Sequence, residues 1–122
     1  MINCFGGIYK GKRVLVTGHT GFKGSWLSIW LRELGAELVG YSLEPPTNPS
    51  NFDLCGLGQR MVHVQGDICD QGKLESTIEQ YKPEVVFHLA AQPIVLESYR
   101  EPKETFRSNV MGTVSLLEAV RA

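Results

Sequence analysis

Apolar residues recur along this chain in short runs that alternate between two spacings. Arg13–Thr17, Glu37–Tyr41, Met61–Gln65 and Glu84–Leu89 are brief, Val- and Leu-rich runs of the kind that form buried strands. Between them lie helical patterns, from about Phe22 to Leu34, from Asp70 to about Tyr81, and from about Pro102 onward. In the last of these, Phe106, Val110, Val114, Leu117 and Val120 follow helical spacing and predict an inward apolar face. Leu74 and Ile78 stand one turn apart on the middle helix. Gly35 is placed to stop the first helix, Asp70 to cap the second, and Lys82-Pro83 to end it. Glu84–Leu89 is almost wholly apolar, as a strand covered on both faces should be.

Two segments break the pattern. Ser42–Gln59 carries Pro45, Pro46, Pro49, Gly56 and Gly58, which is loop chemistry with room for a short helical turn near Asn51–Leu54. Its length is unusual for a bare connection, so it is either disordered or part of a site. A second loop runs through Pro93 and Tyr99. No internal repeat or low-complexity tract is present.

The order βαβ–αβ–α predicts an α/β fold, a Rossmann-type parallel sheet with helices on both faces. Right-handed crossovers then put a ligand at the carboxyl ends of the strands. Four strands are fewer than the about six of a complete sheet of this type. The domain is therefore expected to be truncated after the fourth strand and its helix. Residues 1–122 would be its N-terminal part, with the remainder and a substrate domain beyond residue 122.

Candidate chemistry centres on the first strand–helix junction. There the apolar run breaks on Gly18, Gly21 and Gly24 and resumes as a helix, the context a dinucleotide fingerprint requires. Gly18 allows the tight turn, Gly21 lets backbone approach a pyrophosphate, and Gly24 lets the helix pack on the strand. The N–H groups and partial positive charge of the helix start then face the phosphates. Thr20, Phe22 and Lys23 share the loop, the last two as backbone contacts; the Lys23 side chain fits a solvated surface equally well.

Roughly 20 residues past the fingerprint, such a domain carries an acid for the ribose hydroxyls. Here the second strand ends in Tyr41, Ser42 and Leu43, with Glu44 one step on. The Arg that a 2′-phosphate would want is also missing, which leans toward NAD. Asp67 can accept from an adenine amino group while Ile68 covers the ring; a turn-capping Asp is the competing reading. Leu89, Ala90, Ala91 and Gln92 end the fourth strand, where small residues let backbone approach the ribose and nicotinamide side. Gln92, Ser98 and Tyr99 lie on the loop facing where a substrate would sit, and each fits a role in loop structure equally well. Asn109 reads as a buried amide in need of partners. His88, inside an apolar strand, reads as a satisfied core histidine rather than a catalyst. His19 and His63 have no metal-ligand spacing, and no metal site is expected.

Composition changes little. The 122 residues are 43% hydrophobic and 20% charged with a net charge of −1, so no nucleic-acid footprint is expected. Lys10, Lys12 and Arg13 read as a solvated lead-in to the first strand. No window reaches the roughly 18–20 apolar residues of a membrane span, and the N-terminus lacks a signal-peptide pattern. Cys4, Cys55 and Cys69 are odd in number and lack CxxC spacing, which favours free thiols and a cytoplasmic location.

Thr17-Gly-x-x-Gly-x-x-Gly24, Asp67-Ile68, His88-Leu-Ala-Ala91, Ser98-Tyr-x-x-Pro102, Asn109-Val-x-Gly-Thr113 and Leu116-Leu-Glu-Ala119 together resemble the extended short-chain dehydrogenase/reductase family. The likeness runs from Lys12 onward. Within that family, Gly18-His-Thr-Gly-Phe-Lys-Gly-Ser-Trp-Leu27, Gly40-Tyr-Ser-Leu-Glu-Pro-Pro46 and Ala90-Ala-Gln-Pro93 resemble its 4,6-dehydratase branch acting on CDP-glucose. The Phe-Lys-Gly-Ser-Trp run separates that branch from sugar epimerases.

The resemblance implies an NAD-dependent lyase that takes CDP-D-glucose to its 4-keto-6-deoxy form. C4 is oxidised, water leaves across C5–C6, and the hydride returns to C6. It also implies a cytoplasmic homo-oligomer supplying dideoxysugars to bacterial lipopolysaccharide. The family's catalytic Tyr-x-x-x-Lys pair is expected beyond residue 122, so that this stretch alone would be inactive. Tyr99 and Lys103 have the spacing, but Pro102 between them works against one continuous helix. Two alternatives stand beside this one: an NAD-dependent epimerase or dehydratase of another nucleotide sugar, and a non-catalytic dinucleotide-binding module.

Overall fold

The computed structural model describes residues 4–122. Four strands, β1 (Arg13–Thr17), β2 (Glu37–Ser42), β3 (Val62–Gln65) and β4 (Val85–His88), pair in parallel in the order β3-β2-β1-β4. That order matches the first four strands of the doubly wound 3-2-1-4-5-6 sheet, the Rossmann-type arrangement expected from the alternation. The helices are α1 (Phe22–Glu33), α2 (Asn51–Leu54), α3 (Gln71–Tyr81), α4 (Val95–Arg100), α5 (Pro102–Phe106) and α6 (Gly112–Arg121). A π turn over Arg107–Met111 joins α5 to α6.

Alternation along β1 builds two cores. Val14 and Val16 face α1, packing with Leu31 and Leu38. Leu15 faces the other way, into Val39, Tyr41, Ile68, Leu74, Leu116 and Ala119, which brings in α3 and α6. A strand with both faces covered has no place for polar alternation, which is why β1 reads as an unbroken apolar run. Asp70 caps α3 as expected, its carboxylate accepting from the Lys73 N–H. Lys82 ends it in a left-handed conformation just before Pro83.

Of four expectations, the first holds with a qualification and three change. Both faces of β4 are engaged, Val86 with one core and Val85 and Phe87 with the other, but its outer edge is unpaired among the described residues. Its residues are consequently only half-buried. Second, the face of α5–α6 marked by Phe106, Val110, Val114, Leu117 and Val120 points outward, with each residue more than 40% exposed. Gly112, Ser115, Leu116 and Ala119 form the buried face instead. Small residues set this seam, because a Cβ at Gly112 would come within 2.5 Å of Ile68. A reading weighted toward large apolar side chains passes over such a seam. Third, the segment read as a loop through Tyr99 holds α4. Fourth, Lys12 and Arg13 pair with Glu84 across the β1–β4 edge, so the basic lead-in is not simply solvated.

The long Ser42–Gln59 connection is packed. Ser50 caps α2, Phe52 and Leu57 are buried, and the Asn51 amide donates to Ser25 of α1.

Candidate dinucleotide site

The glycine turn sits at the carboxyl end of β1, and each glycine has a distinct steric role. Gly18 has φ +79°, and a Cβ there would lie 2.7 Å from the Ala90 nitrogen. Only glycine lets the turn lie against the end of β4. A Cβ on Gly24 would come within 2.0 Å of the Gly18 carbonyl oxygen, so the start of α1 rests directly on the turn. Gly21 differs. Its Cβ would meet nothing closer than the Gly18 oxygen at 3.4 Å. Packing within the chain does not require glycine there. An open cradle at the N-cap of α1 is what close approach of a ligand would require. No side chain caps this helix, so its first-turn N–H groups remain available to an anion.

A saturated hydrogen-bond relay ties this turn to β4 and α6. The Thr17 hydroxyl is fully buried and accepts from the Leu89 and Ala90 N–H groups, at 3.1 and 3.2 Å. Its own proton goes to His88 Nδ1 at 2.6 Å. That leaves the proton of His88 on Nε2, which donates to Thr113 at 3.2 Å, and Thr113 donates to the Asn109 carbonyl at 2.7 Å. His88 is therefore a neutral, satisfied histidine, and burial lowers its pKa. The Asn109 amide, inside the π turn, clasps the backbone of Gln92. It accepts from the Gln92 N–H at 2.7 Å and donates to the Gln92 carbonyl at 3.1 Å. Leu89, Ala90, Ala91 and Gln92 are thus held beside the glycine turn by Thr17 from below and Asn109 from above.

At the end of β2 the structure corrects the expectation of ligand-facing side chains. The Tyr41 ring is fully buried in the core, its carbonyl accepts from Gly18 N–H, and its hydroxyl donates to the Asp67 carbonyl. Burial, with Asp70 and Asp67 nearby, pushes the phenol up to about 12, so it stays a donor. Thr20 donates to the Leu43 carbonyl, so the Ser42 hydroxyl must spend its proton on Thr20. This pair closes the turn onto β2. Glu44 is exposed and takes a 3.4 Å hydrogen bond from Gln65.

Asp67 makes the contact of the turn-capping reading and adds an ion pair. One oxygen accepts from the Cys69 N–H at 2.8 Å, a turn-capping contact, while the other pairs with Arg107 at 3.0 Å. Burial pushes this carboxyl up, but the Cys69 N–H and the Arg107 guanidinium outweigh it and hold it below the usual range. Ile68 is buried beneath Gly112. Lys23 and Phe22 stand exposed at the start of α1. Ser98 and Tyr99 lie on α4, Tyr99 81% exposed. The helix is interrupted at Glu101, so Tyr99 and Lys103 belong to separate helices, as Pro102 implied.

One cluster had no sequence signal. His19, inside the glycine turn, is fully buried, and its Nε2 lies 2.7 Å from Nδ1 of His63. Phe52 packs edge-on against it. The imidazole occupies the space a side chain at Gly40 would need, since a Cβ there would fall 2.2 Å from the ring. Burial and the adjacent His63 drive its pKa down to about 3. Nothing in the spacing of positions 19, 40, 52 and 63 predicts their meeting; β2–β3 pairing creates it. Among the described residues no cluster fit to hold a metal ion occurs, and no helix is long and apolar enough to cross a membrane.

Comparison with known proteins agrees with this geometry. The chain is 58% identical, over 93% of its length, to CDP-glucose 4,6-dehydratase of Salmonella typhimurium. It is 36% identical over 91% to dTDP-glucose 4,6-dehydratase of Neisseria gonorrhoeae. Among solved structures, UDP-glucose 4-epimerase from Brucella ovis in complex with NAD superposes with a TM-score of 0.76 at 36% identity, over 91% of this chain. The chain spans about a third of these proteins, 32%, 33% and 32% of their lengths respectively. The family model described as GDP-mannose 4,6 dehydratase matches residues 15–122, nearly the whole chain, and the chain belongs to that family.

Proposed function

We propose that this chain is the NAD-binding, N-terminal part of a CDP-glucose 4,6-dehydratase, with the rest of the Rossmann domain and a nucleotide-sugar domain beyond residue 122. The observation that carries the dinucleotide reading is the open cradle at Gly21, over a helix start that no side chain caps. The 58% identity to the Salmonella enzyme carries the substrate.

Strand order gives the site its layout. Adjacent parallel strands lie roughly 4.8 Å apart, so the ends of β3 and β1 are about 10 Å apart across β2. On this layout Gly18, Gly21, Phe22, Lys23 and Gly24 hold the pyrophosphate through backbone and helix start. Asp67 and Ile68 receive the adenine. Leu89, Ala90, Ala91 and Gln92 back the nicotinamide half, with Asn109 fixing their backbone. Thr20, Tyr41 and Ser42 shape the turn from behind. NAD, when bound, supplies the hydride acceptor at C4 of the sugar and the donor at C6, with water lost across C5–C6 between the two transfers. The proton-transfer groups for those steps belong to the part of the protein beyond residue 122. The setting that goes with this chemistry is a cytoplasmic homo-oligomer making dideoxysugar precursors for lipopolysaccharide.

Calorimetric titration of the chain with NAD tests the cofactor reading; absence of binding overturns it. Incubating the longer protein with CDP-glucose and NAD tests the substrate, with a 4-keto-6-deoxy product expected. Turnover of UDP-glucose alone would instead favour the epimerase reading, which the superposition on the Brucella ovis enzyme motivates.

A further inference from the structure

The segment after β3 is stitched to the π turn and the start of α6 at three consecutive positions. Asp67 pairs with Arg107, Ile68 lies under Gly112, and the Cys69 thiol donates to the Arg107 carbonyl at 3.2 Å. Glu104, one turn earlier, takes the other arm of the guanidinium at 3.1 Å. Arg107 is thus fixed from two sides, and its side chain and that of Asp67 remain 44% and 38% exposed. The arrangement differs from an ordinary surface ion pair in what it leaves free. Each Asp67 oxygen has one protein donor and retains a lone pair for a ligand.

We propose that Arg107 is a positioning residue for nucleobase recognition, holding Asp67 in one rotamer so that its free lone pairs accept the exocyclic amine of a 6-aminopurine nucleotide. This rests on the dinucleotide reading above. Without Arg107 the carboxylate keeps only the Cys69 N–H, its χ rotation is freed, and its ordering becomes part of the cost of binding. The other ionisable groups around Asp67 are Glu104 on α5, Cys69 and Asp70 before α3, and the Tyr41 phenol on β2. None of these is a cation, so removing Arg107 leaves the Cys69 N–H as the one named group that still favours the charged carboxylate.

The test is calorimetric titration of the chain with ADP at pH 7, as a 6-aminopurine probe, for the unaltered protein, Arg107→Met and Arg107→Lys. Arg107→Met should bind ADP at least fivefold more weakly. Arg107→Lys should recover most of the affinity, since a cation beside Asp67 is restored. Tryptophan fluorescence under urea checks that both variants are folded. Unchanged affinity in a folded Arg107→Met, alongside ADP binding by the unaltered chain, overturns the role of Arg107 alone. Tighter binding by Arg107→Met also overturns it, since Arg107 would then be competing with the ligand. Failure of the unaltered chain to bind either NAD or ADP overturns the dinucleotide reading and this inference with it.

Discussion

Replacing Gly21 and Gly24 with alanine in parallel should separate ligand binding from folding within a single turn. At Gly21 (φ −77°, ψ 173°) alanine is allowed, and its methyl would sit 3.4 Å from the Gly18 oxygen, an ordinary contact. Alanine is a poorer N-cap than glycine by about 0.5–1 kcal/mol. Restricting the unfolded chain returns about 0.4–1 kcal/mol. The two nearly cancel, so stability should change by less than about 1 kcal/mol. At Gly24 the methyl would lie 2.0 Å from the Gly18 oxygen and 2.9 Å from the His19 Cα. Those atoms are pinned, because Gly18 N–H donates to Tyr41 and Gly21 N–H donates to Gly18. Relieving the clash needs a shift of more than an ångström. That puts the cost at or above the top of the usual overpacking range of about 1–3 kcal/mol. The helix-propensity gain of about 1 kcal/mol offsets only part of it. Gly24→Ala should therefore lose about 2 kcal/mol or more. For NAD the order reverses in meaning: Gly21→Ala, folded normally, should bind at least tenfold more weakly, about 1.4 kcal/mol. Urea unfolding followed through Trp26 and Trp30, beside NAD titration of each variant, measures both. Equal destabilisation by the two substitutions, or unchanged NAD affinity in Gly21→Ala, would refute the assignment of Gly21 to the ligand.

Other expectations follow from the relay and the histidine pair. Thr17→Val orphans the Ala90 N–H and His88 Nδ1 and should cost about 2–6 kcal/mol at roughly 1–3 kcal/mol per orphaned group; Thr17→Ser should recover most of it in urea unfolding. Asn109→Ala removes both contacts to Gln92 and should cost about 1–3 kcal/mol, with faster amide exchange at Gln92 as the local readout. The His19 imidazole titrates near 3 when folded, against about 6.5 when unfolded. Below pH 6.5 the unfolded chain binds a proton that the folded one refuses. Stability present at neutral pH is thus lost on acidification, at up to about 1.4 kcal/mol per pH unit. His88 adds in the same direction. His19→Asn should flatten the decline between pH 6.5 and 4.5, and an unaltered slope would remove His19 as its source.

How much of this was legible beforehand depends on the range of the interaction. β1 and the start of α1 fall where the sequence places them, because a buried strand, a glycine turn and a helix start are all written in adjacent residues. Asp70 and Lys82-Pro83 mark the ends of α3 for the same reason. The inner face of α6 was misread because Gly112, Ser115 and Ala119 are small; they are selected by the distance to Ile68, which no periodicity reports. Tyr41 stood at the position for a ligand contact, yet its hydroxyl turns inward to Asp67, 26 residues away. The meeting of His19 with His63 and of Arg107 with Asp67 arises only once parallel strands and the returning helix bring distant segments to one edge.

The π turn at Arg107–Met111 has a bearing on how this family can vary. A five-residue turn carries one residue more than an α-helical turn needs, so the helix tolerates a length change there in a way it does not elsewhere. Removing a single residue from this stretch would let α5 and α6 merge into one regular helix with the flanking turns kept in phase, because the turn already absorbs the extra residue. The small-residue seam against α3 would survive that deletion; the Asn109 clasp and the Arg107 pair would not. Insertions and deletions in this turn are therefore a means of re-aiming the lip of the site without repacking the core beneath it.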